Sequence, residues 1–263
     1  MWSPEYVEIP VGPPLSTSTA PMLVLLNDGS SGYRKAPTSN EGPHALICEY
    51  VAGVAAQAIG LNIPPFAVVE DYIDDAPKVF VSKLVEGADP WDGTSATLAR
   101  VANIEMFALV PVFDTWVLNW DRYVPGKEPN YGNVLLAKDS LVAIDHTHCL
   151  GRKVTGSLPK SWSIQLRQDE QLRGGFPAFL AGLNQRHVDE ALKRLAGFRR
   201  SNVTVPNFPE AWEFGPERVA DLLTFLEDRA RWLARKFPSM LAAAAASSGT
   251  SLRGRATTGR NAL

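Results

Sequence analysis

Asp114-Thr-Trp-Val-Leu-Asn119-Trp-Asp121-Arg122, then Asn130-Tyr-Gly-Asn133-Val-Leu-Leu, then Leu141-Val-Ala-Ile-Asp145-His146, is the densest run of chemically committed residues in this 263-residue chain. Val134–Ala137 and Leu141–Ile144 read as two short strands around Lys138-Asp139-Ser140, so two carboxylates and an asparagine bracket a hairpin. Phosphoryl transfer calls for such a set. One carboxylate accepts or orients a hydroxyl proton, while an Asn and a second carboxylate hold Mg²⁺ against phosphates. Magnesium prefers oxygen ligands, so the set needs no His or Cys.

Upstream, Met22–Leu26 and Tyr33–Ala36 flank Asn-Asp-Gly-Ser-Ser-Gly and predict a strand, a glycine turn and a second strand. A helix follows from Pro43 to Ile59, stopped by Gly60. Two further strands, Phe66–Glu70 and Val79–Ser82, lead to a loop around Gly87-Ala88-Asp89-Pro90. Thr97 to Asn119 then reads as one long apolar-periodic helix, bent at Pro111. Everything from Gln171 reads as helix, with Val219, Leu222, Leu223, Leu226, Ala230 and Leu233 on one apolar stripe. The expected plan is α+β: a loose lead-in over 1–20, a small β-rich lobe over 21–90, a larger helical lobe over 91–241, and a floppy tail over 242–263. That tail lacks the large apolar residues that offset chain entropy.

Composition narrows the partners. The 26 basic and 28 acidic residues give a net charge of −2, so no global field draws the chain to nucleic acid or an anionic membrane. A nucleic-acid partner would need a local patch. The longest uncharged apolar stretches, Met22–Leu26 and Met106–Phe113, fall far short of the ~20 residues a bilayer span requires. The opening MWSPEYVEIP carries two glutamates and neither a basic start nor an apolar stretch, which predicts a cytoplasmic protein. Cys48 and Cys149 are the only cysteines, too few for a disulfide framework, and Cys48 reads as a buried helix residue.

The grouped motifs Asn119-x-Asp121-Arg122, Gly132-Asn133-Val-Leu-Leu and Ile144-Asp145-His146 resemble the HipA-like kinases and, more distantly, the phosphoinositide kinases. The resemblance covers roughly residues 20–155 and implies a two-lobed protein-kinase-like fold with ATP between the lobes. It implies that Asp121 is the catalytic Asp, Asn133 the metal-binding Asn, and Asp145 the principal Mg²⁺ carboxylate. It further implies a glycine turn over the phosphates, a strand Lys, a helix Glu and a hinge. Gly29 and Gly32, whose amides could approach phosphates, match the turn; Lys35 and Glu49 match the ion pair; Lys83, Leu84 and Val85 match the hinge. The implied acceptor is a Ser or Thr of a protein, with a lipid or small-molecule hydroxyl as the enzymatic alternative. A catalytically silent kinase-fold binder or scaffold is the alternative of a different class.

One departure concerns the catalytic loop. The kinase signature places its Asn five positions after the Asp, whereas Asn133 stands twelve after Asp121 because of an insert, Val124-Pro-Gly-Lys-Glu-Pro. Asn130 is therefore a rival ligand; Asn133 is preferred because it abuts the strand leading to Asp145. The glycine turn does not match the Walker pattern, which disfavours a P-loop NTPase.

Each residue also has a plainer reading. Lys35 alone is an ordinary surface lysine and Glu49 alone a solvated helix residue; their order relative to the other elements reverses this. Asp121 and Asp145 could each serve a turn. His146, His148 and Cys149 invite a zinc site but have no paired partner motif, so His146 is expected to orient Asp145 or its backbone. Most of the seven tryptophans are expected in the core, with Trp120 alone near a substrate.

Overall fold

A computed structural model describes residues 2–247, apart from 39–40, 75, 77 and 153–155. The segment expected as a loose lead-in carries a strand, β1 (Val7–Pro10), paired antiparallel with β2 (Met22–Leu26). A tight turn leads to β3 (Ser31–Lys35), and β4 (Phe66–Glu70) and β5 (Lys78–Lys83) complete an antiparallel sheet of order β1-β2-β3-β5-β4. A parallel bridge between Tyr6 and Glu70 ties the two outer ends together, so the sheet curls on itself. Alternation along the strands splits their side chains between two faces. Val7, Val24, Leu26, Val69, Val79 and Val81 fill a small cluster of their own. Phe80 joins the main core instead, with Phe66 and Val68 packed against it.

Helix α1 (Pro43–Ile59) starts on a proline, whose missing N–H costs nothing in the first turn. It ends where Gly60 adopts φ 74°, its N–H bonding to Gln57 O and that of Leu61 to Ala56 O. Twelve of its seventeen residues are buried, Cys48 and Glu49 among them.

The long helix expected over Thr97–Asn119 is two helices, α2 (Ser95–Leu98) and α3 (Met106–Trp116). Long-range bonds interrupt it. Asn103 exchanges hydrogen bonds with the backbone of Leu141, at 2.8 and 3.0 Å, and Ala102 N–H donates to Asp139 O at 2.6 Å. This intervening segment thus docks onto a second sheet, made of β6 (Ala88–Pro90), β7 (Val134–Ala137) and β8 (Ser140–Ala143). All eleven residues of α3 are buried, and Pro111 lies within it.

The remaining elements are α4 (Ile164–Arg167), α5 (Pro177–Ala181), α6 (Gln185–Ala196) and α7 (Pro216–Ser247). Between α6 and α7 the chain is extended or in short 3-10 turns rather than helical. Pro206 and Pro209 fall in this stretch, and neither can donate a helical N–H. The α7 stripe packs as expected, with Leu222, Leu226, Ala230 and Leu233 fully buried. The helix continues six residues into the expected tail; residues 248–263 lie outside those described. Arg229 of α7, without exposed surface, donates to the carbonyls of Thr115, Trp116, Leu166, Arg167 and Asp169. It thereby caps the C-terminal ends of α3 and α4, where backbone acceptors lack partners. No helix among the described residues is long and apolar enough to cross a membrane.

Candidate functional site

The C-terminal end of α3 places Asp121. Leu118 takes a left-handed conformation, φ 58°, that turns the chain out of the helix, and Asn119 N–H bonds to Asp114 O at 2.8 Å. Asn119 Nδ2 donates to Asp114 Oδ1 at 3.0 Å, while Asn119 Oδ1 accepts the Asp121 backbone N–H at 3.2 Å. Arg122 then pairs with the other Asp114 oxygen, Nε to Oδ2 at 2.8 Å. Its Nη1 donates to the carbonyls of Asn133 and Ile144. One buried carboxylate thus anchors two side chains that reach Asp121, Asn133 and the residue before Asp145. Burial pushes the Asp114 carboxyl above its ordinary range, against the opposing pull of Arg122 and Asn119.

Asn133 closes a 3-10 turn (Tyr131–Asn133) directly before β7. Its Nδ2 donates to Asp121 Oδ2 at 2.9 Å, and Asn130 Nδ2 donates to the same oxygen at 3.2 Å. The insert therefore leaves both asparagines on Asp121. Among the described residues, Asp121 Oδ1 makes no hydrogen bond to protein.

Asp145 follows β8 with φ 57°, an uncommon backbone conformation for a residue with a side chain. Its Oδ1 lies 2.9 Å from Lys35 Nζ, and Lys35 also pairs with Glu49 of α1. Thr147 Oγ1 stands 2.8 Å from both Glu49 Oε1 and Asp145 Oδ1. Burial works to lower the Lys35 pKa, but Asp145 and Glu49 overcome it and raise the ammonium above its ordinary value. Burial works to raise Asp145, but Lys35 overcomes it and holds the carboxyl well below the usual range. Burial, helped by the Asp145 charge, lifts Glu49 above its ordinary range against the pull of Lys35. The side chain of Asp145 is 29% exposed, opening onto a cleft, whereas that of Glu49 is 4% exposed.

His146 does not orient Asp145 through its ring. Its backbone N–H bonds to Glu49 Oε2 at 3.0 Å, and its imidazole packs edge-on against Phe113. Burial, then the Arg122 guanidinium, pushes this imidazole well below its ordinary pKa. His148 faces Arg152, Nδ1 to Nη1 at 3.2 Å, and packs at a tilt of 44° against Trp120, ring centroids 4.7 Å apart. Arg152 in turn pairs with Glu41 ahead of α1.

These groups meet in a cleft of about 550 Å³ between the curled sheet and the β6-β7-β8 layer. Lys35, Glu49, Asp121, Asn130, Asn133 and Asp145 line it, as do the expected hinge residues Lys83, Leu84 and Val85. Apolar walls come from Phe66, Phe80, Leu135 and Ile144.

Gly29 and Gly32 are not among the lining residues, and their place is taken by Leu15, Thr17, Ser18, Thr19 and Pro21. The hairpin register explains their distance from the cleft. Met22 pairs with Arg34 and Leu25 with Ser31, so the chain entering β2 lies beside Lys35 and the glycine turn lies at the far end. Gly29 serves the turn itself, with φ 77°. Gly32 permits close strand approach, since a Cβ there would stand 2.8 Å from Ser82 O. The Ser16-Thr17-Ser18-Thr19 run before an apolar strand was the available signal for this roof. Glu41, Arg152 and Thr147 carried none, because their roles depend on contacts about 100 residues away in sequence.

The donors at the base of the cleft, the Asp145 carboxylate and the Asn133 amide, are oxygen groups suited to Mg²⁺. Among the described residues no three His, Cys, Asp or Glu side chains form a metal cage, so an ion here would complete its shell with phosphate and water oxygens.

Comparison with known proteins bears on the family and the fold. A family profile described as HipA-like kinase matches residues 14–213. Among curated proteins none matches the sequence. Among solved structures, the Helicobacter pylori proinflammatory kinase CtkA superimposes with a TM-score of 0.54 at 16% identity, covering 88% of this chain and 97% of that one. At that identity the likeness establishes a shared fold. The open conformation of CtTel1 aligns with a TM-score of 0.35 and 13% identity, over 90% of this chain and 12% of the larger one.

Proposed function

The chain belongs to the HipA-like kinase family, and from that premise we propose that it binds Mg-ATP in the cleft and transfers the γ-phosphate to a hydroxyl. The observation carrying this reading is that Lys35, Glu49, Asp121, Asn133 and Asp145, scattered over 111 positions of sequence, line one cleft.

Each side chain has a task its geometry permits. Asp145 and Asn133 would hold Mg²⁺, which supplies charge neutralisation to the transferring phosphoryl group when bound. Lys35, kept charged by Glu49 and Asp145, would turn toward the phosphates while Glu49 retains it. The hydroxyls and backbone of Thr17–Thr19, beside Lys35, would cover the phosphates in place of a glycine turn. Asp121 receives both asparagine amides on Oδ2, which leaves Oδ1 to accept the acceptor's proton. The segment Lys83–Val85 and the apolar walls would take the adenine.

The acceptor we favour is a Ser or Thr of a protein, in keeping with the family. Trp120, next to Asp121, carries Lys127 of the insert over its ring at 5.2 Å and would flank that acceptor. The test is transfer of labelled phosphate from [γ-³²P]ATP, with Asp121→Ala as the control. A wild-type protein that binds Mg-ATP but never transfers or hydrolyses it would favour the catalytically silent alternative.

A further inference from the structure

Lys35 and Thr147 bridge the same two oxygens. Nζ of Lys35 reaches Glu49 Oε1 and, at 2.9 Å, Asp145 Oδ1. Oγ1 of Thr147 stands 2.8 Å from each of those atoms. Ionised carboxylates cannot donate, so the single hydroxyl proton of Thr147 serves both contacts by turns.

Two carboxylates held this closely repel each other, and cations or donors between them are what keep them in place. In the proposed reaction Lys35 must turn to the phosphates and release Asp145. Thr147 is then the side chain still able to tie Asp145 Oδ1 to Glu49. Its position is suited to that duty. The residue is 1% exposed, its β-branched side chain has restricted χ1 freedom, and its carbonyl accepts a bond from Arg152 Nη1 at 3.4 Å. It is not among the residues lining the cleft, so it acts on the chemistry only through its neighbours. Asp145 needs such a neighbour, because at φ 57° its backbone is in a sparsely populated conformation that surrounding contacts must maintain.

We propose that Thr147 is a positioning residue: its hydroxyl holds Asp145 by Oδ1 as Lys35 moves to the nucleotide, so that the carboxylate would stay in place to hold Mg²⁺. This rests on the kinase reading of the same site.

The experiment compares full-length wild type, Thr147→Val, which keeps the shape without the hydroxyl, and Thr147→Ser, which keeps the hydroxyl. Two quantities are read: the Mg²⁺ concentration giving half of the ATP-induced rise in melting temperature, and kcat at saturating ATP. Loss of a group that orients a metal ligand costs about 10- to 100-fold, so Thr147→Val should raise the half-saturating Mg²⁺ by that factor and lower kcat, while its melting temperature without ligand changes little. Thr147→Ser should restore both. A Thr147→Val protein within about twofold of wild type in Mg²⁺ requirement, or a Ser variant as impaired as Val, overturns the proposal. Should Thr147→Val fail to melt cooperatively, Thr147→Ala against Thr147→Ser gives the same comparison. A wild type with neither a magnesium-dependent ATP shift nor turnover brings down the kinase reading and this inference with it. A competent wild type with an unaffected Thr147→Val brings down the inference alone.

Discussion

Arg122 and Asp114 form an ion pair from which solvent is excluded, with Nε 2.8 Å from Oδ2 and no exposed surface on either side chain. Removing one partner of a buried pair strands the other charge, which typically costs about 3–5 kcal/mol. Asp114→Ala should therefore destabilise strongly in urea unfolding. The double variant Asp114→Ala/Arg122→Met should recover much of that stability, because the stranded cation is gone. It should not recover phosphate transfer, since Arg122 also ties down the carbonyls of Asn133 and Ile144. A double variant with wild-type turnover would show that the clamp contributes only to folding.

Nucleotide binding is predicted to depend on Asp145 through the metal. At a Mg-ATP concentration a hundredfold above Kd, binding should stabilise the protein by about 2.7 kcal/mol. Asp145→Asn removes the metal carboxylate and leaves the adenine pocket, so most of the magnesium-dependent part of this shift should vanish. Scanning calorimetry with and without Mg²⁺ measures the difference.

Asp121→Ala should separate binding from chemistry. It should bind Mg-ATP close to normally and lose about 10²–10⁴-fold in kcat, the range for a positioned general base. Intact transfer by this variant would remove Asp121 from the role proposed.

Both asparagines that follow the insert lie on Asp121, yet they should differ in weight. Asn133 abuts β7 and its carbonyl is held by Arg122, whereas Asn130 sits at the end of the insert loop. At saturating Mg-ATP, kcat should fall far more for Asn133→Ala than for Asn130→Ala. The reverse order would make Asn130 the metal ligand.

Acid sensitivity should trace in part to His146. Burial, then Arg122, holds its folded pKa well below the ordinary value of about 6.5. Once the pH falls through about 6.5, the unfolded chain takes up a proton that the folded chain refuses, so stability declines from about pH 7 toward 5. His146→Phe should flatten that decline in urea titrations at each pH. A residual slope is expected from His44, which burial and Arg218 push in the same direction. Asp145 is shifted in the same direction by Lys35, but from a carboxyl's lower starting value, so its contribution is lost only as the pH falls below about 4.

What could be read beforehand was what local order encodes. The motifs around Asp121, Asn133 and Asp145 carried a family resemblance that also implied Lys35 and Glu49, and the structure brings all five to one cleft. The glycine turn that the resemblance implies was matched to Gly29 and Gly32. Strand register, which no local window contains, instead puts the Thr17–Thr19 segment beside Lys35. The helix expected across Thr97–Asn119 failed for a similar reason: apolar periodicity continues through Asn103, but its amide is committed to Leu141. Buried Arg229, Arg152 and Arg122 look like surface residues in sequence, and only their carbonyl and carboxylate partners from distant segments explain their burial.

The complete burial of α3 bears on where in the molecule motion is permitted. Amides of a fully enclosed helix exchange with deuterium only through openings that approach global unfolding, whereas loops exchange through small local fluctuations. Asp121 stands five residues beyond the end of that helix, with Asn119 and Arg122 both fastened to Asp114 inside it. The Thr17–Thr19 roof belongs to the other regime, a loop joining two strands at the sheet's edge. On the proposed reading, reactant entry and product escape would be accommodated by this loop while the floor of the cleft keeps its shape.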